Sequence, residues 1–104
     1  MMGAEQQPFS LSGEWTHSFE DDEGSVQVFR PSHSFAFPPS RRGRETLEFD
    51  NAGQVVSGVP GPDDKLQRTT SSLTSLGMNR FRIGETRVIE VIEASSDILK
   101  LKQA

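Results

Sequence analysis

Hydrophobic and polar residues alternate with a period of two along much of this chain, most plainly over residues 11–19. Leu11, Gly13, Trp15, His17 and Phe19 would share one face of an extended segment, and Ser12, Glu14, Thr16 and Ser18 the other. Successive side chains of a strand point to opposite sides, so a largely apolar face backed by a wholly polar one predicts a half-buried β-strand. Further strands are predicted over residues 25–30 (SVQVFR), which is rich in β-formers and halted by Pro31, and over 44–50 (RETLEFD), where Glu45, Leu47 and Phe49 alternate with Thr46, Glu48 and Asp50. Residues 54–59, 78–83, 86–94 and 98–102 complete the set, and a short strand is expected where Phe35 and Phe37 flank Ala36.

The segments between these runs are turn-formers. Residues 20–24 (EDDEG) read as a solvent-exposed tip, since a calcium loop would need more oxygen ligands at regular spacing. Asn51-Ala52-Gly53 and Gly84-Glu85 read as hairpin turns, and Pro60-Gly61-Pro62-Asp63-Asp64 breaks any strand that reaches it. Residues 65–76 are ambiguous: 69–75 hold six hydroxyl residues in seven, which suits an edge strand or a mobile loop better than a helix. A helix over 88–94 is disfavoured by four β-branched residues in seven. Eight or nine short strands and no amphipathic helix predict an all-β fold, a small antiparallel up-and-down barrel. Pairing the first strand with the last would remove both exposed edges.

At 104 residues the chain is expected to be one domain, residues 9–104, after a disordered lead-in at 1–8. Hydrophobic residues make up only 33 %, so seven phenylalanines and one tryptophan must supply much of the core, each burying roughly 150–250 Å². With no cysteine there is no disulfide and no thiolate metal site. A net charge of −4 argues against general affinity for nucleic acid or anionic membrane. No apolar run reaches the roughly 20 residues of a membrane span, and residues 1–8 lack the blocks of a signal peptide, so a soluble cytoplasmic protein is expected.

Gly13-Glu14-Trp15 on a first strand resembles the Gly-x-Trp of the lipocalins. The chain is similar to small bacterial lipocalin-like proteins of unassigned function in its Arg30-Pro31 step, its Pro38-Pro39-Ser40-Arg41 segment and the Phe49-Asp50-Asn51-Ala52-Gly53 strand and turn. The likeness runs from Leu11 onward and extends to the closing strand pair over residues 88–101. It departs at Gly77-Met78-Asn79-Arg80-Phe81, where that group often carries a second tryptophan. The resemblance implies a closed or nearly closed barrel that can hold a small apolar molecule, and a late arginine (Arg80, Arg82 or Arg87) across Trp15. It implies no chemistry.

Two functions fit these residues. In the first, a small apolar or apolar-anionic ligand lies inside the barrel, against Trp15, His17, Phe19, Phe29, Leu47 and Phe49, with His17 and Arg44 donating to its acceptor group. In the second, the barrel is filled and acts as a protein-interaction module through surface loops, using Phe35, Phe37 and the cluster Arg41, Arg42 and Arg44. That cluster could equally be a solvated loop pairing loosely with the acids at 20–23 or with Glu45. His17 and His33 lack a third ligand at useful spacing, so no metal and no cofactor is expected. No nucleophile elbow, P-loop or base-activated hydroxyl marks an enzyme.

Overall fold

The computed structural model describes residues 11–41, 43–50, 53–61 and 65–104. The expected lead-in at 1–8 therefore lies outside the described residues, as do Arg42 and parts of two turns. Eight strands form one closed antiparallel barrel: β1 (Gly13–His17), β2 (Gln27–Pro31), β3 (Thr46–Phe49), β4 (Gln54–Pro60), β5 (Leu66–Ser75), β6 (Arg80–Ile83), β7 (Arg87–Ala94) and β8 (Leu99–Gln103). An eight-stranded closed barrel of this kind is consistent with a calycin-like fold.

The seam of the barrel differs from the expected one. Strands β3 to β8 follow one another as a meander, but β8 closes on β2 and not on β1. β1 lies between β2 and β3 and pairs with both, Trp15 standing opposite Pro31 on one side and Leu47 on the other. The chain leaving β2 must therefore cross to the far side of β1, and residues 32–45 make that crossing. The strand expected around Ala36 is absent, because this segment spans an end of the barrel and has no ladder to join.

Alternation sets the core. Trp15, Phe29, Leu47, Phe49, Val55, Phe81, Ile83, Ile89, Val91, Leu99 and Leu101 all point inward and make one contacting cluster. β1 ends two residues earlier than expected. Ser18 N–H donates to the Val28 carbonyl, and Asp21 N–H donates back to the Ser18 carbonyl, so the chain turns into a single 3-10 turn, Phe19–Asp21. Phe19 thereby leaves the strand face it was assigned to. Ser18 stays buried because its hydroxyl donates to Asp21 Oδ2 at 2.8 Å.

The hydroxyl-rich segment is a strand, and at ten residues the longest. β5 pairs with β4 from Leu66 to Ser72 but with β6 only from Leu73 to Ser75. The two pairings thus meet at Ser72 and Leu73, while among the described residues 66–71 have β4 on one side only, and 66–67 run past the part of β4 that pairs with β3. Its polarity follows: Leu73 packs on the core, while every residue from 66 to 70 is exposed.

Candidate functional site

At the end of β1, His17 points into the barrel and is only 7 % exposed. Its ring stacks on Phe29 with centroids 5.0 Å apart and meets the edge of Phe19 at 6.0 Å. A buried imidazole needs a partner, and the 3-10 turn supplies one: both Asp22 carboxylate oxygens lie 3.0 Å from His17 Nε2. Asp22 is fixed in turn by the Val28 N–H, which donates to its Oδ1 at 2.9 Å.

Arg44 closes the same end. Its guanidinium lies over the Phe19 ring at 4.4 Å and the Phe37 ring at 5.0 Å. It forks onto Glu20, Nη1 to Oε1 at 2.9 Å and Nη2 to Oε2 at 2.7 Å, and also donates to the carbonyls of His17 and Pro38. The fork matches the carboxylate's geometry. The Arg44 hydrogen bond holds the Glu20 carboxyl down at about 2, against its usual 4.5.

The remaining acids of the turn are also matched. Asp21 meets Arg30 at 3.4 Å, and Glu23 meets Lys100 at 3.1 Å, a bond that raises the Lys100 ammonium above its ordinary value. Glu45, one residue beyond Arg44, pairs with Arg87. The loose pairing expected of the arginine cluster is, at Arg44, a tight clamp built from two rings, one carboxylate and two carbonyls. Arg41 is exposed.

Chemically this end is satisfied rather than poised. His17 and Asp22 make two parts of a hydroxyl–histidine–carboxylate relay, but among the described residues no hydroxyl bonds to His17, and the nearest in sequence, Ser18, donates to Asp21. No group of His, Asp and Glu suited to a metal ion occurs among the described residues.

Of the residues assigned to an interior ligand, Trp15, His17, Phe29, Leu47 and Phe49 do face inward together. Phe19 and Arg44 lie at the capped end, one stacked beneath the other. Trp15 sits toward the opposite end, where its Nε1–H donates to the Ser12 carbonyl at 2.8 Å. A cleft of about 280 Å³ opens beside it, lined by Ser12, Gly13, Glu14, Pro31, Ser95 and Ser96. Arg80 and Arg82 do not reach Trp15, because they alternate with inward Phe81 and Ile83 and project from the outer face; Arg87 is held by Glu45 at the other end.

Sequence reasoning missed the engagement of Asp22 and Glu20, which reads in the sequence only as an acid cluster. It also missed a second charged region. Residues 65–84 contain Lys65, Arg68, Arg80 and Arg82 and no acid at all. Arg68, Arg80 and Arg82 are exposed, and none makes an ion pair among the described residues.

No helix among the described residues is long and apolar enough to cross a membrane. No family model, curated protein or solved structure matches this chain.

Proposed function

We propose that this chain is a filled lipocalin-like barrel that works as a protein-interaction module through its outer surface. The observation that carries the reading is the state of the inward side chains: Phe29, Leu47, Val55, Ile89, Val91, Leu99 and Leu101 each expose 0 % of their surface. A hollow large enough for a ligand would leave its lining residues with accessible area, and ligand pockets ordinarily run to roughly 300–1,000 Å³. The two polar groups that would orient an interior anion, His17 and Arg44, are already opposite Asp22 and Glu20, so an anion entering there would have to displace a carboxylate.

The test is titration with an apolar fluorescent anion, in wild type and in Phe49→Trp. This reading expects no saturable binding in either. Saturable binding that Phe49→Trp abolishes would restore the interior carrier. A second reading is favoured by the cleft beside Trp15: a small ligand resting at the barrel mouth. Saturable quenching of the Trp15 fluorescence, insensitive to Phe49→Trp, would support it.

A further inference from the structure

The ribbon formed by β4 and β5 has an unused side. Gly61 N–H donates to the Lys65 carbonyl and Leu73 N–H to the Gly53 carbonyl, and the register between them is unbroken. Antiparallel hydrogen-bonded pairs recur at every second residue. Gln67, Thr69 and Ser71 therefore bond to β4, and the backbone groups of Leu66, Arg68 and Thr70 turn the other way. On that side β6 begins only at Leu73, and the Gly84 N–H takes the Ser72 carbonyl. A lane about three ladder pairs long lies open beside β5, with no strand in it among the described residues.

We propose that this lane receives an extended segment of another protein as an added antiparallel strand, and that the segment carries Asp or Glu opposite Arg68. The proposal rests on the surface-module reading and names its partner. Main-chain bonds at Leu66, Arg68 and Thr70 supply the docking, as they do wherever a peptide extends a sheet. Charge selects the occupant. Arg68 is the central residue of the lane and has no counter-ion among the described residues, and the chain from 65 to 84 offers it none.

A second copy of this chain is the obvious competitor, and the same arginine opposes it. The β6–β7 turn blocks the lane at Ser72, so two β5 strands can meet fully only where residue 66 faces 70 of the other copy. That register sets Arg68 against Arg68, and like charges directly opposite one another destabilise a strand pair. An edge charge of this kind prevents self-pairing while leaving the lane open to an acid.

The experiment uses the full chain and two probes, the peptides TVTETVT and TVTKTVT, with binding followed by backbone amide shifts. The glutamate peptide should bind saturably, roughly tenfold tighter than the lysine peptide. Its shifts should be confined to β5 and the β6–β7 turn. Arg68→Glu should reverse the preference. Thr70→Pro is the backbone control: its lost N–H points into the lane, where proline is tolerated, so its urea midpoint should stay near wild type while peptide binding disappears. Undiminished binding to Thr70→Pro, no preference between the peptides, or no binding to either would overturn the proposal. Shifts elsewhere on the outer surface would overturn it and leave the surface module standing. Shifts at Phe29 and Leu47 would overturn both.

Discussion

Residues 20–23 and residues 65–84 are two stretches of one-signed charge in this chain, and the fold treats them in opposite ways. All four acids of the first are matched: Glu20 by Arg44, Asp21 by Arg30, Asp22 by His17 and Glu23 by Lys100. The three arginines of the second stand exposed without an ion pair among the described residues. The difference follows from where each run sits. The four acids are themselves exposed, but the basic groups that meet them, His17, Arg44, Lys100 and Arg30, are largely covered by the barrel end, where a cation or polar ring short of water needs a partner. The cationic run lies on the outer face of β5 and β6, where water solvates each guanidinium and nothing compels pairing. Pairing therefore follows the burial of the basic group: the covered cations have partners, and the exposed Arg68, Arg80 and Arg82 have none among the described residues.

Breaking the paired side should cost most. Arg44→Ala removes a forked ion pair, two bonds to carbonyls and two ring contacts in one step. A loss of roughly 1.5–3 kcal/mol is expected from the charged hydrogen bonds alone, seen as a lower urea midpoint with an unchanged slope. An unchanged midpoint would mean that the barrel end is not held by this clamp, and the comparison would lose its stronger half.

Acid should undo the same clamp more gently. The Glu20 carboxyl is depressed from 4.5 to about 2 by its bond to Arg44. A group whose folded value is lowered contributes stability that is fully present above the higher value and is lost as pH falls toward the lower one. Wild type should therefore lose more stability than Glu20→Gln as pH drops from 4.5 to about 2. The informative quantity is the difference between the two curves, since other carboxylates titrate in both proteins. Parallel curves would show that the pair contributes nothing to folding.

On the ribbon the expected effect is kinetic and local. The amides of Leu66, Arg68 and Thr70 face the open lane, whereas those of Gln67, Thr69 and Ser71 face β4. Amide exchange should alternate along the strand, fast at the even positions and slower at the odd ones. Uniform protection from 66 to 71 would mean that the lane is already occupied in solution.

How much of this was legible beforehand depends on which physical signal each feature leaves in a linear chain. Period-two alternation carried the all-β class and the inward set Trp15, His17, Phe29, Leu47 and Phe49, because burial acts on every second side chain alike. The swap at the seam left no local mark: β2 pairs with β8 across some 70 residues of sequence, and nothing in SVQVFR distinguishes that neighbour from β3. β5 was legible only in part. Thr and Ser compete with helix and carry little apolar area, so the segment reads as edge strand or loop; it is a strand with an open edge, and its length escapes the sequence because its backbone bonds to β4 need no apolar side chains. The acid turn is solvent-exposed, as its composition says, but composition is silent on counter-ions that arrive from 24 or 77 residues away, as Arg44 and Lys100 do.

The smallest effect belongs to Arg82→Gln, and its smallness is the point. Arg82 stands opposite Thr74 on β5 and Val88 on β7, so no acid faces it across either ladder. Removing its charge breaks no ion pair and frees no buried acceptor. What remains is its repulsion from Arg80, two residues along the same strand and hence roughly 7 Å away, opposed by the attraction of Glu90, which faces Arg80 across the ladder and so lies diagonal to Arg82. In water each is worth about 0.6 kcal/mol before screening, the two oppose one another, and the Debye length of about 10 Å at 0.1 M salt reduces both further. The folding free energy of Arg82→Gln should thus lie within about 0.5 kcal/mol of wild type, the ordinary range for surface substitutions. Any gain should shrink as salt is added. The measurement is a pair of urea titrations at low and high ionic strength. A loss of stability as large as that of Arg44→Ala would mean that Arg82 has a partner in solution, and the contrast between a neutralised barrel end and a bare cationic face would collapse.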